Sequence, residues 1–131
     1  MNIPLFKIYW DNEDIEAVKK IIRNGEYWAT GKQIEEFEKK LADYLGVKYC
    51  LVLNSGGSAL FSLMKAYDFK KGDEIIVPSF TFITTAFAPL YTGAKPVFAE
   101  VEEKTFGLDP ADVEKKITSK TRAVMPIHYG G

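Results

Sequence analysis

From residue 49 onwards, short apolar runs alternate with segments long enough to form helices. The runs are rich in β-branched residues, which is typical of strands covered on both faces of a parallel sheet. Strands that alternate with helices in this way form parallel α/β sheets with right-handed crossovers. The pattern therefore predicts a three-layer α/β/α fold with a mainly parallel sheet, whose strands span residues 49–53, 74–78, 96–101 and 121–127.

Two helices are predicted ahead of this pattern. Asp11 is placed to cap a first helix whose apolar residues are spaced three to four apart, and Gly25 ends it. In the second helix, Thr30 and Gln33 have the spacing of a capping box, and Gly46 follows the last apolar position. Local signals therefore fix the expected start and end of both helices.

These patterns divide the chain into an N-terminal helical segment, residues 1–48, and an α/β domain, residues 49–131. The last predicted strand runs into MPIHYGG, with no helix after it. Because a parallel strand needs cover on both faces, we expect this domain to be incomplete and the chain to be the first part of a larger protein.

Composition and charge argue against several classes of function. Apolar residues make up 47% of the chain and its net charge is −1, so nothing indicates a surface for nucleic acid or an anionic membrane. The single cysteine, Cys50, excludes a disulfide framework and a cysteine-based metal site, and its apolar neighbours predict a buried residue. No signal peptide or membrane span is recognisable, so we expect a cytoplasmic protein without a metal.

A glycine loop, NSGGSAL, follows the first predicted strand and opens a helix. Ligands of open α/β sheets bind at such strand ends, and a helix N-terminus suits phosphate because its amides are unpaired. Gly56 and Gly57 would let an anion approach the backbone, and Ser58 adds an amide and a hydroxyl. A tight turn without a ligand remains the alternative. The motif is neither GxGxxG nor a P-loop, so a nucleotide-binding Rossmann site is disfavoured.

The next strand end carries aromatic residues. SFTF places Phe80 and Phe82 at the carboxyl end of EIIVP, next to the glycine loop in a parallel sheet. One of these rings could stack on a flat ligand whose phosphate lies in the loop, and core packing is the alternative for each. The two strand ends together predict a site for a planar, phosphorylated molecule.

Three segments that contain these motifs resemble the N-terminal part of the DegT-type sugar aminotransferases; they are residues 25–63, with NSGGSAL, residues 71–98, with SFTF, and residues 105–131. Members of that family are pyridoxal-phosphate (PLP) enzymes of fold type I that transfer an amino group onto keto sugars attached to nucleotides. The resemblance implies the large domain of that fold, PLP as cofactor, a nucleotide-sugar substrate, an amino-acid donor such as glutamate, and a homodimer for the complete protein.

By the same resemblance, the glycine loop receives the PLP phosphate at Gly57 and Ser58, and Phe82 lies on the pyridine ring. The family usually has threonine at the position of Gly57, so a hydroxyl at the phosphate is missing here, and Ser58 is a candidate to replace it. His128 stands near the end of the last predicted strand, which makes it a candidate cofactor contact. A hydrogen-bonded core residue is the alternative for His128.

Two further features follow from the resemblance. Trp28 matches an aromatic position near the family's active-site mouth and is a candidate substrate contact, with simple packing as the alternative. The family's cofactor-binding lysine, and the aspartate that pairs with the pyridine nitrogen, lie beyond Gly131. We instead predict a solvated helix face and turn for Lys65, Lys70 and Lys71. We therefore expect no catalytic residue in this chain, and no activity of the chain alone.

The sequence is compatible with several functions. The leading hypothesis is a PLP-dependent nucleotide-sugar aminotransferase. A PLP-dependent deoxysugar dehydratase, which has histidine in place of the lysine, and a PLP-binding regulatory protein share the fold. A non-catalytic α/β interaction module, in which the glycine loop is only a turn, belongs to a different class.

Overall fold

The computed structural model describes residues 3–4, 6–25 and 31–129. The chain forms two compact units, Met1–Val52 and Leu53–Gly131, called here the N-terminal and C-terminal units.

The first helix of the N-terminal unit, α1, spans Asn12–Asn24. The side chain of Asp11 accepts hydrogen bonds from the amides of Glu13 (2.8 Å) and Asp14 (3.3 Å), and Asp14 in turn accepts from the Asp11 amide (3.0 Å). The helix ends at Gly25, whose φ of 62° is the left-handed conformation that glycine adopts readily. The predicted start and end of α1 are therefore confirmed.

The second helix, α2, spans Lys32–Leu45 and ends as predicted at Gly46. Its N-cap is Gly31, which provides no side-chain hydrogen bond, so the capping box predicted for Thr30 and Gln33 is wrong: the helix starts one residue later than that box requires. Thr30 itself lies outside the described residues.

The run YCLVL, residues 49–53, does not form the predicted strand. No described strand pairs with it, and the Val52 amide donates instead to the carboxylate of Glu38 (2.8 Å). Leu51 is 72% exposed and Cys50, predicted to be buried, is half-buried. Apolar composition favours a strand, but a strand also needs a neighbouring strand to pair its backbone groups, and the described residues offer none to this run.

The C-terminal unit alternates helices and strands as predicted. All three of its strands are parallel, in the order β2-β1-β3. The predicted α/β fold with a parallel sheet is therefore confirmed, with three strands in the described residues instead of four. Its elements are α3 (Gly56–Ala66), β1 (Glu74–Pro78), α4 (Thr84–Leu90), β2 (Lys95–Ala99), α5 (Pro110–Lys116) and β3 (Thr121–Val124).

The core of this unit surrounds the central strand β1. Ile75, Ile76 and Val77 are all 0% exposed, and because successive side chains of a strand alternate, both faces of β1 are covered. Ile75 and Val77 pack with Ala94, and partly buried residues that include Phe69 complete the cluster. This packing fixes the carboxyl end of β1, from which the segment leading into α4 departs.

The ends of the remaining elements follow local signals. Asp109 caps α5 by accepting a hydrogen bond from the Ala111 amide (2.9 Å), and Pro110 occupies its first turn, as predicted. Beyond β3 the backbone stays close to β1, because the Met125 amide donates to the Ile76 carbonyl (2.9 Å). Among the described helices, we find none with the length and apolarity that crossing a lipid bilayer requires.

Candidate functional site

The glycine loop forms the N-terminus of α3. Ser55 is the N-cap, and its hydroxyl accepts a hydrogen bond from the Ser58 amide (3.1 Å) while donating to the Ser58 hydroxyl (3.0 Å). The amides of Gly56 and Gly57 donate to no group in the part of the chain that the structure describes. No acidic residue lies in this first turn. The start of α3 therefore presents two unpaired donors at the positive end of the helix dipole.

Gly57 also lies close to α4. A β-carbon added at Gly57 would already lie in van der Waals contact with Thr84, 3.4 Å from its Cγ2, so the further carbons of a larger side chain would crowd Thr84. Nothing lies within 4 Å of the corresponding position at Gly56. The absence of a side chain at position 57 thus leaves room between the backbone of α3 and Thr84, and it leaves the Gly57 amide accessible.

A cavity of about 1020 Å³ opens beside these amides. It brings Gly56 and Gly57 together with Phe82, the predicted stacking residue, which is 75% exposed. A second cavity of about 340 Å³ shares Ser55, Gly57 and Thr84 with the first, and Ser58 lines only this smaller one. Three of the predicted cofactor-binding residues therefore share one cavity, and the fourth lines the adjoining one.

The remaining two predicted site residues are His128 and Trp28. His128 is exposed and lines neither cavity, whereas its neighbours Ile127 and Tyr129 both line the larger one. Trp28 lies outside the described residues. The contacts predicted for both remain predictions.

Several cavity residues were missed from the sequence. Tyr129 lies with its ring centroid 5.0 Å from that of Phe80. Thr81 and Thr85 share a hydrogen bond of 2.9 Å between their hydroxyls, and Thr85 is buried. The alternation of side chains around His128 could have indicated Tyr129, because residues 127 and 129 point to the same side of an extended segment. Nothing local indicates the threonine pair.

Among the described residues, three carboxyl groups have lowered pKa values, and none of them lines either cavity. A hydrogen bond from the Thr118 hydroxyl (2.7 Å) lowers the pKa of Glu74. The Thr105 hydroxyl does the same for the pKa of Glu102, and the Glu100 amide (2.8 Å) lowers the pKa of Asp112. Through these hydrogen bonds the three carboxylates stabilise turns and helix ends outside the cavities. The described lining of the larger cavity consists of backbone amides, hydroxyls and aromatic or apolar side chains, which suits binding and orientation.

Lysines and metal ligands are absent from both cavities as far as the structure describes the chain. Lys65 lies on the exposed last turn of α3, and Lys70 and Lys71 lie in the exposed turn before β1. The described residues thus place a helix start with two unpaired amides beside an aromatic-lined cavity, at the strand ends of a parallel α/β domain.

Comparison with known proteins places this domain in a family. The DegT/DnrJ/EryC1/StrS aminotransferase family matches residues 9–131, and the chain belongs to it. The family that residues 25–63, 71–98 and 105–131 resemble is therefore confirmed.

Named relatives support the same assignment. The dTDP-3-amino-3,6-dideoxy-alpha-D-galactopyranose transaminase of Aneurinibacillus thermoaerophilus is 39% identical over 131 residues, which are 100% of this chain and 36% of that protein. The GDP-perosamine synthase of Caulobacter vibrioides is 45% identical over 103 residues, 79% of this chain and 28% of that protein.

Solved structures agree with the fold. The E. coli GDP-4-keto-6-deoxy-D-mannose-3-dehydratase with bound hydrated PLP superimposes with a TM-score of 0.87 and 27% identity, covering 95% of this chain and 33% of that one. The chain thus spans about a third of the length of these relatives.

Proposed function

We propose that this chain forms the phosphate- and ring-binding part of a PLP-dependent nucleotide-sugar aminotransferase. The observation that carries the proposal is the pair of unpaired amides, Gly56 and Gly57, in one cavity with the exposed ring of Phe82. The family and the transaminase and synthase relatives support it. PLP, when bound, supplies an electron sink for transfer of an amino group.

The residues fit the cofactor's phosphate. Phosphate is stabilised where helix amides point at it and the helix dipole is positive, and the first turn of α3 offers both without an acidic residue. In this arrangement Gly56 and Gly57 provide the available donors. The Ser58 amide joins them only when the Ser55 hydroxyl releases it, because that hydroxyl accepts its hydrogen bond at 3.1 Å.

The residues also fit a flat ring. Phe82 exposes 75% of its surface in the same cavity, so burial of its face by a pyridine ring would remove apolar area from water. The role of this chain is then to bind and orient the cofactor. His128 as a cofactor contact and Trp28 as a substrate contact stay part of the proposal as predictions.

For the complete enzyme we propose a nucleotide-sugar substrate, an amino-acid donor such as glutamate, a cytoplasmic location and a homodimer. The donor, the homodimer and the location rest on the resemblance and the sequence. Because no described lysine lines either cavity, we expect the 131-residue chain by itself not to transaminate. Borohydride trapping of a lysine adduct, together with amino-sugar product from this chain alone, would contradict that expectation.

A deoxysugar dehydratase is the second candidate. It is supported by the E. coli dehydratase, whose structure covers 95% of this chain with a TM-score of 0.87. Incubating the complete enzyme with PLP, glutamate and a nucleotide keto-sugar separates the two, because an aminotransferase releases an amino sugar and a dehydratase releases a deoxygenated sugar.

The binding proposal is tested by titrating the complete enzyme with PLP and following visible absorbance. Gly57→Val should weaken PLP binding by roughly tenfold or more, about 1.4 kcal/mol, because the added carbons meet Thr84 and crowd the amide. Ala66→Val is the matched control, since it adds valine to the exposed last position of the same helix. Equal affinity of Gly57→Val and the unmodified enzyme for PLP would show that the glycine loop is not part of the site.

Two outcomes would favour the alternative functions. A complete protein that binds no PLP would favour a non-catalytic α/β module, and PLP binding without turnover would favour a regulatory protein.

A further inference from the structure

Phe106 adopts a backbone conformation that bulky residues avoid. Its φ is 57°, in the left-handed region, where the β-carbon of an L-residue crowds the backbone. In the described residues one other non-glycine residue has positive φ, Asp68 at 54°. Aspartate tolerates this conformation better, because its short polar side chain bonds locally, and a phenylalanine there is a true outlier.

Hydrogen bonds to Glu102 stabilise the turn around Phe106. The Glu102 carboxylate accepts hydrogen bonds from the amides of Lys104 and Thr105, both 2.8 Å, and from the Thr105 hydroxyl. The backbone closes the same turn, since the Phe106 amide donates to the Glu102 carbonyl (3.1 Å) and the Glu102 amide to Gly107 (3.0 Å). These bonds hold the chain in a conformation that Phe106 would otherwise leave.

The strained conformation places the Phe106 ring against two cavity residues. Its centroid lies 5.8 Å from that of Phe80 and 5.9 Å from that of Tyr129, and those two rings are 5.0 Å apart. All three pairs are tilted or edge-on, as favourable aromatic pairs are. Phe80 and Tyr129, called here the aromatic wall, line the larger cavity, whereas Phe106 does not.

The wall needs such support because its members are only loosely packed. Phe80 is 46% exposed and Tyr129 56% exposed, and Tyr129 follows β3 in a segment without regular secondary structure. Each ring therefore keeps rotational freedom unless a neighbour restricts it, and ordering a free side chain when a ligand binds lowers affinity.

We infer that Phe106 is a positioning residue for the cofactor cavity: the Glu102 turn holds it in the left-handed conformation, and its ring orders the aromatic wall formed by Phe80 and Tyr129. This inference rests on the proposed function, because it takes PLP as the ligand of the cavity. Phe106 acts through the wall and does not itself touch the ligand.

The test compares truncations at position 106 in the complete enzyme. Phe106→Gly and Phe106→Ala both remove the ring, but glycine accepts a φ of 57° and alanine does not. We expect PLP affinity to fall by roughly 5-fold in both variants, and the thermal unfolding midpoint of Phe106→Gly to exceed that of Phe106→Ala. Phe106→Tyr keeps the ring and should keep the affinity.

Asp68 supplies the matched control. Asp68→Gly and Asp68→Ala test the same backbone conformation in a turn that lines neither cavity, so they should differ in unfolding midpoint without changing PLP affinity. A loss of affinity in the Asp68 variants would show that general destabilisation is responsible and would overturn the inference.

The remaining outcomes separate this inference from the proposed function. If the unmodified enzyme binds PLP and Phe106→Gly binds it equally well, the inference fails and the proposed function stands. The inference also fails if Phe106→Tyr loses as much affinity as Phe106→Gly, or if the glycine variant is no more stable than the alanine variant. If the unmodified enzyme binds no PLP, both fail together.

Discussion

The two units of this chain keep their shape by different means. In the C-terminal unit, three consecutive residues of β1, including Ile76, are 0% exposed. In the N-terminal unit, α1 has no buried residue, and Ile22 on its apolar side is 60% exposed. The helices of that unit are defined by their caps, such as Asp11 and Gly25. The contrast teaches that an apolar pattern predicts an element, whereas burial depends on what packs against it.

The largest expected effect tests this contrast directly. Ile76→Ala should destabilise the chain by about 2–5 kcal/mol, because it leaves a cavity beside a strand covered on both faces. Ile22→Ala should change the free energy of unfolding by no more than about 0.5 kcal/mol, since most of that side chain is exposed. Urea unfolding of the 131-residue chain measures both. Similar losses for the two variants would show that the units do not differ in the way described.

Phe82 extends the comparison, because it is more exposed than the large apolar residues of α1 yet lines the larger cavity of the C-terminal unit. Phe82→Ala should cost roughly 1–3 kcal/mol of PLP affinity in the complete enzyme, from lost stacking and burial together. Its effect on the unfolding midpoint should be small. Phe87→Ala is the control, since Phe87 is 46% exposed and lines neither cavity. An equal loss of affinity in both variants would remove Phe82 from the ring site.

The cap of α1 provides the corresponding test in the N-terminal unit. Asp11→Ala should lower stability by about 1 kcal/mol, because the amides of Glu13 and Asp14 lose their acceptor. Asp43→Ala removes an acidic side chain near the end of α2, where a negative charge is unfavourable, and should cost nothing. Helical circular dichroism during thermal unfolding measures both. A loss in the Asp43 variant as large as that in the Asp11 variant would contradict a specific role for the cap.

Local signals account for what the sequence predicted correctly about the fold. Asp11, Gly25, Gly46 and Asp109 act on backbone groups a few residues away, so their consequences can be read without knowing the topology. The run at residues 49–53 looked equally clear but forms no strand in the described residues, since pairing depends on a distant neighbour.

In the candidate site, too, the sequence predicted the residues of contiguous motifs and missed those that only the fold brings together. Gly57 and Phe82 were found because a glycine loop and an aromatic strand end are contiguous motifs, and the larger cavity brings them together. Tyr129 and Phe106 were not found, because they join Phe80 only when β3 and the Glu102 turn meet in the fold. The positive φ of Phe106 has no sequence signal, since phenylalanine is not expected there.

The smallest expected effect concerns the acid dependence of that turn. Three hydrogen bonds to the Glu102 carboxylate, led by the one from the Thr105 hydroxyl, lower its pKa in the folded state. A lowered folded pKa contributes stability above the unfolded value of about 4.3, and that stability is lost as the pH falls through the folded pKa. Glu102→Gln should therefore be less stable than the unmodified chain near neutral pH, and this difference in stability should narrow as the pH falls below about 4.

Glu103→Gln is the control for this prediction, since its carboxylate accepts no hydrogen bond from the described residues. Unfolding midpoints across the acid range measure the difference, and a gap of constant size for Glu102→Gln would show that ionisation of this carboxylate does not stabilise the turn.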